Sequence, residues 1–200
     1  MKYRHLLLVL GVVGVALLAV VVVGDKQVES VQNITVAEPG TSLLPVRLMI
    51  PAIMADALVE SVGLTPENLM DAPEGPTNVG WYNLGVRPGE TGSAVIDGHS
   101  GWKDNIPAVF DDLHKLERGD KVYVEDEKSI ITTFVVREIR VYDPKADASE
   151  VFFSTDGQSH LNLITCAGAW NEVSKSSAKR LVVFTDKVGS TVSTSAQGGE

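Results

Sequence analysis

Hydrophobic positions change character along this chain, and each change marks a different kind of structure. Residues 6–24 (LLLVLGVVGVALLAVVVVG) form an apolar run without a charged side chain. Its 19 residues, at about 1.5 Å rise each, match the roughly 30 Å hydrocarbon core of a bilayer. A cleaved signal peptide carries a shorter apolar region of about 7–15 residues and ends in a small-x-small site. This run is longer and ends in VVVVG before Asp25, so it predicts an uncleaved transmembrane anchor. Lys2 and Arg4 precede it, and basic residues favour the cytoplasmic flank. The N-terminus is therefore expected inside the cell, and everything after residue 24 outside.

Residues 25–44 (DKQVESVQNITVAEPGTSLL) are polar, punctuated by Gly and Pro, and lack a sustained period, the pattern of an extracellular stalk. The tail 190–200 (STVSTSAQGGE) is small and polar and reads as frayed. Residues 45–189 between them alternate β-rich runs with turns. The runs are VRLMI (46–50), ALVESV (57–62), GSAVIDG (92–98), KVYVE (121–125), SIITTFVVREIRVY (129–142), LNLIT (161–165) and RLVVF (180–184). Arg87-Pro88-Gly89, Arg118-Gly119-Asp120 and Asp156-Gly157 supply turn chemistry. Many short strands at this spacing predict an all-β sandwich or barrel. Helical signals are few: Thr65-Pro66-Glu67 reads as an N-cap with Pro at the first helical position, and 107–113 as a second short turn.

Composition narrows the function. A length of 200 residues fits one domain, and 44% hydrophobic with 22% charged residues excludes wholesale disorder and a polytopic membrane protein. The formal charge is −9, and the part after residue 24 carries 15 basic against 26 acidic residues. Such an acidic body argues against a nucleic-acid partner. One cysteine makes neither an internal disulfide nor a multi-cysteine metal site.

That cysteine, Cys166, follows the run LNLIT, so a strand is expected to deliver it to a sheet edge, with Ala167-Gly168-Ala169 leaving open space beside it. A free cysteine is more often a small buried hydrophobe than a nucleophile, so a reactive reading needs partners. His99 follows GSAVIDG and precedes Ser100-Gly101, at the end of an expected strand in a turn whose glycines permit close approach by a ligand. His114 lies in the charged turn DDLHKLERGD, and His5 flanks the apolar run. His160 begins the Cys166 strand, but six extended residues separate the two by roughly 20 Å, far beyond the ~3 Å of proton transfer. A thioester-forming cysteine also needs a fixed donor or positive charge beside the developing oxyanion. Arg180 opens the apolar run RLVVF and offers a planar, permanently charged fork; its plainer reading is an exposed strand-start charge, and Lys179 is the alternative cation.

Taken together, GHS at His99, NLITC ending at Cys166 and AKRLVVF with Arg180 resemble the sortase family of Gram-positive cell-surface transpeptidases. VRLMIPAI (46–53), VGWYNLGVRPGETGSAVIDGHSG (79–101) and PAVFDDLHKLERGDKV (107–122) resemble its class E and class F members, and the resemblance spans about residues 45–187. One departure is Asn162, which stands where the family's TLxTC pattern has its first Thr. The resemblance implies an eight-stranded β-barrel with short helices, here preceded by one transmembrane helix. It also implies that Cys166 attacks the Thr carbonyl of an LPxTG- or LAxTG-like sorting motif, that His99 protonates the leaving Gly amine, and that Arg180 holds substrate and oxyanion. Thr165 resembles the family residue that lines the groove. The implied partners are surface proteins bearing the motif and an amine acceptor, on a cell-wall precursor or a pilin Lys.

The resemblance implies no cofactor. Family members differ in their need for calcium, and Glu125-Asp126-Glu127 reads as a solvated loop rather than a cation site. Two other readings remain open. A peptidoglycan L,D-transpeptidase also uses Cys, His and Arg, but its Cys normally follows a nearby His-Gly pair, which HLNLITC (160–166) lacks. A membrane-tethered β-barrel binding module would keep Cys166 buried and unreactive.

Overall fold

The computed structural model describes residues 43–143, 145–171 and 176–189, all within the compact unit Pro39–Glu200. The expected anchor at 6–24, nearly all of the stalk and the tail from 190 lie outside the described residues. Among the described residues no helix is long and apolar enough to cross a membrane.

The strands are β1 (Pro45–Ile50), β2 (Ala55–Val62), β3 (Val79–Tyr82), β4 (Gly92–Gly98), β5 (Lys121–Asp126), β6 (Ile131–Tyr142), β7 (Ser159–Asn171) and β8 (Ser176–Lys187). They close into a barrel in the order β1-β2-β3-β4-β7-β8-β6-β5, sealed by pairing of β5 with β1. β2–β3 and β4–β7 are parallel, and the other pairs are antiparallel. The parallel pairs require crossovers. The longer one, from β4 to β7, contains β5, β6 and the single-turn helix α1 (Ser149–Phe152).

Strand alternation explains both faces of the wall formed by β4, β7 and β8. Ala94 and Ile96, Leu161 and Leu163, and Leu181 and Val183 fill the barrel together with Leu48, Val122 and Phe134. Each large aliphatic or aromatic side chain buried in this way contributes about 1.5–3 kcal/mol. The intervening residues Val95, Ile164, Val182 and Phe184 face outward, where α1 covers them with Val151 and Phe152. Burial on both faces is why these strands read as continuous apolar runs rather than as an alternating pattern.

Three expectations need correction. β3 was not among the runs read from sequence, because VGWY is only four residues long and contains Gly80. Thr65-Pro66-Glu67 starts a turn instead of a helix: Asn68 N–H donates to Thr65 O (2.9 Å), Thr65 N–H donates to Leu69 O (2.8 Å), and Leu64 bridges Met70. Pro73 and Pro76 follow too soon for a helix of useful length. Finally, β7 and β8 run on past their apolar segments, pairing Trp170 with Ser177 and Asn171 with Ser176 beyond a register shift after Ala167. Cys166 therefore lies inside β7 instead of ending it, and Arg180 is the fifth residue of β8 instead of the first.

Candidate functional site

The site is built on the outer face of the β4–β7–β8 wall, just beyond the apolar patch under α1. Cys166 pairs directly with Arg180 across β7 and β8. Alternation places both on the outward row that holds Ile164 and Val182. On the other flank, the last paired residues of β4 and β7 are Asp97 and Ile164. Two hydrogen bonds hold the chains together past that point: Thr165 Oγ1 donates to Gly98 O (2.6 Å) and Ser100 Oγ donates to Cys166 O (2.6 Å). His99 lies between Gly98 and Ser100, so the three positions singled out from sequence converge on adjacent strands.

Local contacts fix the His99 ring. Its Nε2 is 2.9 Å from Pro73 O. A carbonyl only accepts, so Nε2 carries a proton and Nδ1 is the nitrogen left to exchange one. The Trp102 ring packs against it with centroids 4.6 Å apart at 58°. Gly98 is needed for space, although what approaches it is Phe110 and not a ligand: an added Cβ would lie 2.5 Å from Phe110 Cδ2. Phe110 N–H in turn donates to His99 O (2.9 Å). Asp111 pins the loop after His99, accepting from Gly101 N–H (2.6 Å) and Ala108 N–H (2.9 Å). Gly101, at φ 75°, makes the turn that only glycine adopts without strain.

Asp97 is a site residue that the sequence reading passed over as part of GSAVIDG. Burial pushes its carboxyl up to about 6, against the charge of His99, the Gly98 N–H and the charge of Arg180, all of which favour its ionised form. Asp97 thus interacts electrostatically with both His99 and Arg180. Its signal in the sequence is a lone acidic residue in an otherwise apolar strand, two positions before a histidine.

Half-buried Cys166 borders a cavity of about 220 Å³ that Ser100, Asp111, His114, Ala167 and Leu181 also line. Thr165 lines the same cavity. His114 also lines this cavity, although its charged turn gave no sign of it; its Nδ1–H donates to Asp111 O (3.0 Å). His160 does not enter it. Its Nδ1 contacts Asp186 Oδ1 at 2.8 Å and its Nε2 contacts Asp156 Oδ2 at 3.0 Å, at the far end of β7.

Asn162, the departure from TLxTC, is buried and donates through Nδ2 to Val151 O (2.6 Å), tying α1 to β7. In the acidic triplet, Asp126 Oδ1 accepts from Lys128 N–H and Ile130 N–H, capping the turn into β6, while Glu125 lies 3.8 Å from Arg47. Among the described residues no three His, Cys, Asp or Glu side chains are grouped to hold a metal ion.

A closed eight-stranded barrel thus brings one thiol and a guanidinium onto paired strands, with an imidazole just past the end of β4. The Sortase domain family model matches residues 48–188, and the chain belongs to the sortase family of cysteine transpeptidases. Among solved structures, sortase C-1 from Actinomyces oris (formerly Actinomyces naeslundii) is 23% identical with TM-score 0.57, covering 72% of this chain and 73% of that one. A lid mutant of sortase A from Corynebacterium diphtheriae is 21% identical with TM-score 0.57, covering 76% and 74%. Sortase C2 of Group B Streptococcus Pilus Island 1 is 25% identical with TM-score 0.54, covering 72% and 73%. Comparison with curated proteins gives no match.

Proposed function

We propose that this sortase is a single-pass membrane enzyme whose extracellular domain cuts an LPxTG- or LAxTG-like motif between Thr and Gly. It then transfers the Thr carbonyl to an amine of a cell-wall precursor or a pilin Lys. The observation that carries this reading is the pairing of Cys166 with Arg180, with the residues on either side of His99, Gly98 and Ser100, hydrogen-bonded to Thr165 and Cys166. Cys166 Sγ, as thiolate, attacks the Thr carbonyl carbon. The Arg180 guanidinium faces the oxyanion that forms, the role for which a fixed planar cation is suited. The C–N bond breaks as His99 passes its proton to the departing Gly amine, leaving a thioester. An incoming amine then forms the new C–N bond, and Cys166 departs.

The apolar run 6–24 with Lys2 and Arg4 before it supports the anchor and its orientation. Protease added to protoplasts should digest the catalytic domain; its full protection would overturn this topology. The acidic charge after residue 24 favours substrates with a basic segment following the motif. Screening at about 8 Å in physiological salt confines that effect to encounter, so added basic residues should raise the second-order rate at low salt only. Incubation with LPxTG and LAxTG peptides plus amine acceptors, with products read by mass, tests the substrate. Cleavage between Thr and Gly with an amide product supports the reading, and cleavage at another bond rejects it.

A further inference from the structure

Glu60, Gly80, Asp97, Ile164 and Val182 pair in register as one row from β2 to β8. Ile164 and Val182 place that row on the outer face of the wall. Two residues further along the same face come Cys166 and Arg180, and His99 stands two positions after Asp97. Gly80, opposite Asp97, is needed for space: an added Cβ would lie 2.9 Å from Val62 Cγ1 and 3.3 Å from Pro73 Cδ. Asp97 is thus bordered by Ile164 on one side and by a glycine packed under Val62 and Pro73 on the other. Pro73 O is also the group that holds His99 Nε2 (2.9 Å). The row's other carboxylate, Glu60, is committed to the loop that carries Pro73, accepting from Glu74 N–H (3.1 Å) and Asn78 Nδ2 (2.7 Å). Asp97 makes no ion pair and no hydrogen bond with another side chain among the described residues. The charged and titratable groups it faces are His99, whose attraction is the strongest, Arg180 and the Cys166 thiol. Burial holds its carboxyl up at about 6, so its charge is kept at a cost in stability, as happens where function uses the charge.

We propose that Asp97 is a positioning residue for acid catalysis, its carboxylate holding the His99 ring in the doubly protonated form that gives the Nδ1 proton to the leaving amine. The inference rests on the thioester reading above. Attraction between two charges is mutual, so what favours ionised Asp97 equally favours the charged ring. Alternate positions on one face of a strand lie about 6.8 Å apart, which makes this a through-space effect rather than a hydrogen bond. As the C–N bond breaks, the Nδ1 proton passes to nitrogen and the ring becomes neutral, with its Nε2–H still on Pro73 O. When the incoming amine attacks the thioester and sulfur leaves, the amine proton returns to Nδ1 and the charged ring is restored. Asp97 acts through the ring in both directions.

The test compares two acyl donors in the full chain. A sorting peptide releases an amine that must take a proton, whereas p-nitrophenyl acetate releases a phenolate that needs none. Asp97→Asn keeps the shape and removes the charge. It is expected to lower acylation by the peptide about tenfold, the size expected for one nearby charge in a partly solvated site, with the peptide KM within about twofold of wild type. Acetylation by p-nitrophenyl acetate should fall by no more than about twofold, which also reports intact folding. The pH at which the His99 ring takes its proton, read by NMR of its Cε1–H, should lie about 0.5–1 pH unit lower in Asp97→Asn. Unchanged peptide acylation in the variant overturns the proposal, as does an equal fall with both donors or an unmoved His99 titration. A lowered His99 titration in a protein that p-nitrophenyl acetate acetylates but that cuts no sorting peptide supports the coupling of Asp97 to His99 while rejecting the substrate reading.

Discussion

At one end of the β4–β7–β8 wall, His160 is buried with a carboxylate on each ring nitrogen, Asp186 on one side and Asp156 on the other. At the other end, roughly 20 Å along β7, His99 has one nitrogen on a backbone carbonyl and no hydrogen bond from the other to a described residue. The same residue type on the same wall is thus saturated at one end and left with spare capacity at the other. Saturated polar groups lock a fold in place. Spare capacity beside a thiol is what proton transfer requires.

The two ends also have opposite pH signatures. The Gln158 N–H, the Ser154 hydroxyl and His160 hold the exposed Asp156 carboxyl down to about 2. Its stabilising contribution is present above the ordinary value near 4 and is lost as pH falls toward 2. Burial raises Asp97 to about 6, so the stability tied to its neutral form is present below about 4 and is lost as pH rises through 6.

The sharpest way to break the contrast is to remove the thiol. Cys166→Ala should abolish thioester formation, and His99→Ala added to it should make nothing worse, because residues acting as one unit are not additive. Additive losses would separate the ends differently. Arg180→Lys should lower the acylation rate by about 10²–10³, since an ammonium does not reproduce the guanidinium fork; a loss under tenfold would remove Arg180 from the oxyanion. At the closed end, His160→Ala should cost about 2–3 kcal/mol in urea unfolding, chiefly from losing both partners of a buried ring, with the acylation rate of the folded protein unchanged. The smallest expected effect is from Asp97→Asn. It should gain about 1–2 kcal/mol over wild type at pH 7, less than the ~3 kcal/mol equivalent of the shift, because the buried amide brings N–H donors that need partners of their own. That gain should grow from pH 4 to 6 and then level off; a gain independent of pH would refute the sign.

What the sequence made legible follows from this contrast. Strands buried on both faces stood out as apolar runs, and the glycine-flanked His99 stood out against a strand end. β3 was hidden by its shortness, and the β7–β8 extension was hidden because its pairing runs through serines and asparagine that carry no hydrophobic signal. His114 was read as belonging to a charged turn because only the β4–β5 connection, clamped by Asp111 and Phe110, folds it back toward Cys166. Asp97 was missed because a carboxylate in a strand acquires its role from the neighbouring strands. The role of Asn162 is likewise tertiary: its partner is α1, eleven residues upstream.

The most direct test is intact mass of the full chain after mixing with an LPxTG-like peptide and no acceptor. Wild type and His160→Ala should each gain the mass of the peptide up to and including Thr, mapped to Cys166, and His99→Ala should gain none. An adduct that forms equally in His99→Ala and is lost in His160→Ala would contradict the account.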